Sequence, residues 1–119
     1  MSIEPARGEV WLVEMEPTRG AEMRKTRPAV VISEDHIGRL PLRIVVPFTG
    51  WSEEYELLPW LVRMDPDEGN GLSKVSAADV FQMRSVSIER MTKRLGKLSS
   101  GAPENIAAAV AVCVGYHPA

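Results

Sequence analysis

The stretch "GEVWLVEMEPTRGAEMRKTRPAVVIS", Gly8 to Ser33, decides the fold. Its first part sets Val10, Leu12 and Glu14 against Trp11, Val13 and Met15. That alternation predicts a strand over Gly8–Glu16, apolar on both faces and therefore covered on two sides. Pro17 to Gly20 has turn chemistry and ends the strand. A loop then runs to Arg27, and Pro28 opens a second strand, Ala29–Ser33, where its missing N–H does least harm. The connection is basic: Arg19, Arg24, Lys25 and Arg27 fall within nine residues of a chain whose net charge is −2. Two readings are open at this point, a solvated loop that happens to be basic and a loop built to hold an anion. Arg27 precedes a proline, which restricts it to extended geometry. Its planar guanidinium can grip a phosphate through two parallel hydrogen bonds and does not lose its charge. Glu22 shares the loop, and a carboxylate there serves proton transfer or simply balances charge.

Further strands are expected at Arg43–Phe48, with Pro47 marking an edge or a bulge, and at Pro59–Met64, closed by the turn-rich Asp65–Gly71. Ala78–Ser87 reads as a fifth strand, with Val80, Gln82 and Arg84 alternating against Phe81, Met83 and Ser85. Ser87–Leu95 reads as a turn or two of helix with Ser87 as N-cap, followed by a short strand over Leu95–Leu98. A final helix over Pro103–Tyr116 is punctuated by Pro103 and Glu104 at its start and by Gly115 and Pro118 near its end. It is apolar nearly all round, so it needs cover on more than one side, and a partner subunit is the simplest source of the second. The sum is a mainly β protein: one domain over residues 1–119, a small, strongly bent antiparallel β-barrel with short helices and a C-terminal helix.

At 119 residues the chain can bury one real core. Residues 1–50 hold seven basic and seven acidic groups, 51–80 two and seven, and 81–119 five and two. A pI near 5.7 argues against indiscriminate nucleic-acid binding but leaves room for a local positive patch. The single cysteine, Cys113, permits no disulfide within one chain and suits a reducing compartment. Neither a signal-peptide stretch nor a run long enough to span a bilayer is present, Ile106–Val114 being too short, so the expected location is the cytoplasm. With only His36 and His117, read as loop and terminal polar residues, no metal spacing and no catalytic histidine pair emerges. Phosphate-binding glycine loops and a nucleophile elbow are also missing.

In order and spacing, Arg7-Gly8-Glu9-Val10-Trp11, then Glu16-Pro17-Thr18 with Gly20 and Glu22, then Arg27-Pro28-Ala29-Val30-Val31, and later Thr49, resemble the MazF/PemK (Kid) family of toxin endoribonucleases. The resemblance covers Arg7 to about Leu98. It implies a homodimeric SH3-like (CcdB-like) barrel that cuts single-stranded mRNA at specific sequences without metal or other cofactor. It also implies a cognate antitoxin whose acidic, flexible segment lies over the RNA groove. Arg27 matches the family's catalytic arginine and Thr49 its catalytic threonine. The implied chemistry is attack by a ribose 2′-hydroxyl on the adjacent phosphorus, leaving a 2′,3′-cyclic phosphate and a 5′-hydroxyl. Such a reaction needs a proton acceptor, charge stabilisation on the phosphate and a proton donor. Arg27 suits the second need; Thr49 suits donation to a phosphate oxygen or orientation of the 2′-hydroxyl; Glu22 stands as proton acceptor or loop organiser. Arg19, Arg24, Lys25, Gln82, Arg84 and Trp51 are the expected RNA contacts, and for Arg84 a salt bridge near a dimer interface is an equal reading.

Phe81 departs from the pattern, because many relatives carry an acid just before the glutamine. Asp79, two residues earlier on the expected strand face, is its possible substitute. In "GWSEEYELLPW" (Gly50–Trp60), Trp51 or Tyr55 can stack on a splayed base, Trp60 is expected in the core, and the three glutamates would repel a phosphate backbone. Two other functions stay open. A CcdB-like poison of DNA gyrase shares this barrel but lacks the Arg-Pro and threonine pair; a barrel that binds nucleic acid without cutting it does not.

Overall fold

A computed structural model describes residues 4–37 and 40–117. Seven strands make up the sheet: β1 (Glu9–Glu14), β2 (Thr26–Val31), β3 (Leu42–Gly50), β4 (Leu61–Met64), β5 (Ser76–Asp79), β6 (Arg84–Ser87) and β7 (Met91–Lys97). One α-helix follows, α1 (Ala102–Cys113). All pairings are antiparallel, in the order β4-β5-β3-β2-β1-β7, with β6 beside the first half of β3. The mainly β architecture with a terminal helix is the expected one. The sheet is bent but not closed, since β4 and β7 at its ends do not pair. The Asp65–Gly71 connection spans that gap instead, with the Lys97 N–H donating to the Gly69 carbonyl at 2.8 Å.

The hairpin behaves as its pattern requires. On one face of the sheet Val10, Val30, Val46, Phe48, Ala78, Val80 and Ile106 make one core; on the other, Trp11, Val13, Met15, Ala29, Val31, Val45, Val86 and Met91 make a second. A fully buried valine is worth about 1.5–3 kcal/mol, so the strands shared by both cores, β1, β2 and β3, fix the register. Pro28 sits within β2 rather than opening it, opposite Leu12, beyond the last residue that β3 pairs. Pro47 is on the most connected strand, not an edge. It falls in the interval where β3 leaves β6 after Val45 and takes up β5 at Phe48.

Three further expectations are corrected. The single strand over Ala78–Ser87 is two strands, because Val80–Gln82 form a 3-10 turn whose first N–H groups are capped by Asp79; its Oδ1 accepts from the Phe81 N–H at 3.1 Å. Asp79 and Phe81 therefore do not share a strand face. Ser87 does cap a turn, accepting from the Glu89 N–H at 3.2 Å, but the turn ends at Arg90 and Met91–Lys97 is an edge strand against β1. The last helix stops at Cys113, and Gly115 follows it at φ 78. Pro118 lies outside the described residues. The helix packs Ala102, Ile106, Ala109, Val110 and Cys113 on the first core, while Val112, Val114 and Tyr116 are exposed. Among the described residues no helix is long and apolar enough to cross a membrane.

Glu9 is the polar counterpart of this packing. Its Oε1 accepts from the Ala6 N–H at 2.8 Å and from Trp11 Nε1 at 3.1 Å, and its Oε2 from Arg94 Nε at 2.9 Å, tying β1 to β7. Burial works against the charged form, but the bonds from Ala6, Arg94 and Trp11 outweigh it and hold the carboxyl below its ordinary value. A depressed carboxylate contributes stability above its unfolded-state value and loses it as the pH falls through the folded one. The substitution Glu9→Gln is expected to cost about 1–2 kcal/mol at neutral pH and to flatten the acid limb of a stability–pH curve. Urea unfolding between pH 3 and pH 7 checks it; parallel curves for both proteins would remove Glu9 from the acid transition.

Candidate functional site

The β1–β2 loop is built on a fixed base. Met15 N–H donates to the Lys25 carbonyl at 2.9 Å, which closes the loop, and Lys25 adopts φ 69 to turn into β2. Arg84, half-buried on β6, donates through Nη1 to the Met15 carbonyl at 3.0 Å. Arg90 donates to the carbonyl of Glu14 at 3.0 Å and, in a short contact, to that of Glu16. At the tip, Glu22 Oε1 accepts from the Arg19 N–H at 2.6 Å while the Glu22 N–H donates to the Arg19 carbonyl at 3.1 Å. Glu22 thus organises the loop backbone rather than neutralising its cations.

That leaves the charge uncompensated. Arg7, Arg43, Arg63 and Arg94 each have a carboxylate partner. Among the described residues Arg19, Arg24, Lys25 and Arg27 have none within ion-pair distance. Arg27 is half-buried, and its Nε donates to the Arg24 carbonyl at 3.0 Å. That bond aims the side chain and leaves the two Nη groups for an anion.

Register places Arg27 and Thr49 beyond the same end of the β2–β3 ladder. β2 and β3 pair Val31 with Val45, Val30 with Val46 and Ala29 with Pro47. Arg27, which pairs with Val13 of β1, and Thr49 each lie two residues past the Ala29–Pro47 pair. The ladder ends at Pro47, and from Phe48 the strand pairs with β5, with Thr49 opposite Ala77 and Ala77 opposite Arg63. Asp79 is two residues beyond Ala77 on β5, and its burial pushes the carboxyl above its ordinary value against the backbone N–H groups of Phe81 and Gln82. Trp51, two residues after Thr49, meets Tyr55 edge-on at 5.9 Å and carries the Arg63 guanidinium 5.6 Å from its ring centroid. Trp60 packs against the first core as expected, edge-on to the exposed Phe81 at 5.7 Å.

Gln82 is the residue whose place the sequence did not reveal. Its Oε1 accepts from the Met23 N–H at 3.0 Å and its Nε2 donates to the Ala21 carbonyl at 3.0 Å. Both ends of the amide are therefore engaged within the chain. Arg90, also on the loop base, was not singled out from the sequence at all. Contacts this distant in the chain leave no local signal.

The remaining surface offers less. A groove of about 900 Å³ at the other end of β3 is lined by Leu42 and Ile44 and by Glu4, Glu34 and Asp35. Against these stands Arg43, the single cation among its described residues, which pairs with Glu4 at 3.5 Å, and that excess of carboxylates does not suit a phosphate backbone. Among the described residues no three His, Cys, Asp or Glu side chains gather as a metal site would require.

A family model described as PemK-like, MazF-like toxin of type II toxin-antitoxin system matches residues 6–114. Endoribonuclease MazF9 of Mycobacterium tuberculosis is 34% identical over 100 residues, covering 79% of this chain and 82% of that protein. Endoribonuclease PemK of Escherichia coli is 32% identical over 103 residues, covering 84% of this chain and 71% of that protein. Among solved structures, MazF from Deinococcus radiodurans superposes with a TM-score of 0.78 at 22% identity, over 96% of this chain and 99% of that one. An endoribonuclease from Mycobacterial species, solved in complex with its cognate antitoxin, superposes with a TM-score of 0.74 at 16% identity, over 97% and 99%.

Proposed function

The chain belongs to the PemK/MazF toxin family, and from that premise we propose that it is the endoribonuclease toxin of a toxin–antitoxin pair, cutting single-stranded mRNA at a short sequence in the cytoplasm. The observation that carries the reading is the cation cluster of the β1–β2 loop, without carboxylate partners among the described residues, with Arg27 and Thr49 both two residues past the same end of the β2–β3 ladder. An RNA phosphate is the anion this arrangement suits: four cations track a backbone, and one aimed guanidinium grips the reacting group.

The reaction is transphosphorylation within the RNA. The 2′-oxygen gives up its proton and bonds to phosphorus, while the 5′-oxygen leaves and takes a proton, so the products are a 2′,3′-cyclic phosphate and a 5′-hydroxyl. Arg27 stabilises the charge that builds on the non-bridging oxygens, a role in which preorganised donors are worth most. Its own pKa, above ~12, makes it a poor base. Thr49 orients the 2′-hydroxyl or donates to a phosphate oxygen. Glu22, which shapes the loop in this structure, is one candidate for proton acceptor; Asp79, two residues beyond Ala77 on β5 and with its carboxyl raised by burial, is a second. The nucleophile belongs to the substrate, so the chemistry itself calls for no metal. Trp51 and Arg63 offer an aromatic and a guanidinium surface next to Thr49 on which a neighbouring base can rest.

Two partners follow. The cation cluster is complementary to an acidic antitoxin segment, and a second copy of the chain would cover the apolar Val112, Val114 and Tyr116. The test is incubation of the purified, antitoxin-free protein with a long mixed-sequence RNA in EDTA, mapping new ends. Cuts at one short motif with 5′-hydroxyl ends are expected. Intact RNA from folded protein would overturn the enzymatic reading and favour a barrel that binds without cutting.

A further inference from the structure

We propose that Gln82 is a positioning residue that holds the β1–β2 loop in the shape Arg27 requires, rather than an RNA contact; this rests on the ribonuclease reading above. From the tip of the loop, where Glu22 bonds to Arg19, the segment Ala21–Arg24 runs back toward the base that Arg84 and Arg90 fasten. Besides the bond from Arg27 to Arg24, Gln82 ties it by a side chain to the body of the protein, reaching across 61 residues to Ala21 and 59 to Met23. A primary amide presents a donor and an acceptor side by side without a charge. Here it meets a carbonyl and an N–H two residues apart, which fixes both the position and the orientation of the peptides between them.

The consequence reaches the reacting group through the next residue. The Arg24 carbonyl is the acceptor for Arg27 Nε, and Arg24 directly follows the clamped Met23. A loop free to slide would carry that carbonyl with it and turn the guanidinium away from the scissile phosphate. Gln82 is itself well founded. It ends the 3-10 turn whose first residue, Val80, is buried in the core and whose cap is Asp79. Core packing thus sets the turn, the turn sets the amide, and the amide sets the loop.

The experiment compares wild type, Gln82→Met and Gln82→Glu by steady-state cleavage of an RNA carrying the mapped site and by amide hydrogen exchange. Methionine keeps the length of the side chain and removes both polar ends. For Gln82→Met, kcat is expected to fall about 10²-fold, the scale of a misplaced catalytic group, with KM within about twofold. The Met23 amide should lose its protection while the Met15 amide, held by Lys25, keeps it. Gln82→Glu supplies the signature a merely structural role would not. Ionised, it repels the Ala21 carbonyl; protonated, it again offers one acceptor and one donor. Its kcat relative to wild type should therefore recover as the pH is lowered, and that of Gln82→Met should not. A wild-type kcat with a raised KM in Gln82→Met would overturn the proposal and return Gln82 to RNA contact. Unchanged protection at Met23 would overturn the clamp. If wild type cuts no RNA, the enzymatic reading fails on its own, and exchange at Met23 still decides the clamp.

Discussion

Replacing Arg27 with alanine is expected to lower kcat/KM for RNA cleavage by about 10³-fold while changing the melting temperature little. The size follows from what the guanidinium is asked to do. One neutral donor aimed at a developing oxyanion is worth 10²–10³ in rate, and a fixed bidentate cation is worth at least as much. The small stability effect follows from its contacts: Arg27 makes one described hydrogen bond, to Arg24, and no ion pair, so nothing buried is stranded by its removal. Arg27→Lys is the sharper variant. Lysine keeps the charge and loses the fork, so binding of RNA at low salt should persist while kcat stays depressed about 10²-fold. Arg19, Arg24 and Lys25, exposed at the rim, should act mainly on KM and on its salt dependence. Loss of antitoxin binding in proportion to loss of cleavage would assign Arg27 to charge recognition in general and remove its special role.

The parts of this site differ in how far the sequence disclosed them, and the reason is distance along the chain. The basic loop, its proline-locked arginine and the two-faced strand before it are local patterns, readable from side-chain alternation and turn chemistry. Placing Arg27 and Thr49 at the same end of the β2–β3 ladder needs a register, which two cores impose together and no short window contains. The ties from Gln82 and Arg90 to the loop are invisible for the same reason. Where sequence reading failed locally, a competing signal was present. Met91–Lys97 carries Thr92, Lys93 and Arg94 in succession, and all three are exposed, because its register against β1 shifts twice, between Val10 and Trp11 and between Leu12 and Val13, and each irregularity breaks the alternation. Ser87 is a true cap, and a true cap promises only the first turn. Phe81 stands where an acid was expected. It is exposed because the chain turns there, and the carboxylate nearest in sequence, Asp79, is spent in part on capping that turn.

The largest stability loss is expected from Gly96→Ala, about 3 kcal/mol or more, a fall of roughly 10–15 °C in melting temperature for a domain of this size. Gly96 is buried on β7 opposite Val10, and its backbone conformation is one any residue adopts. The obstacle is approach: an added Cβ would run into the Gly69 carbonyl oxygen and lie 2.7 Å from the Asn70 carbonyl carbon. That segment cannot step back cheaply. Asn70 is 2% exposed; its Nδ2 donates to the Asp65 carbonyl at 2.9 Å and its Oδ1 accepts from the Leu72 N–H at 3.0 Å. Retreat would also break the bond from Lys97 to Gly69, the link by which this loop spans the sheet's unpaired ends. Gly20→Ala is the matched control. Gly20 has φ 56 but open space around it, so alanine there meets conformational strain alone, about 1 kcal/mol. Thermal melts of the two variants separate steric closure from backbone preference. Equal losses would mean that the loop does not close the sheet. A larger loss at Gly96, with kcat/KM unchanged well below the transition, would show that closure at this end of the molecule supports the fold without shaping the Arg27 site.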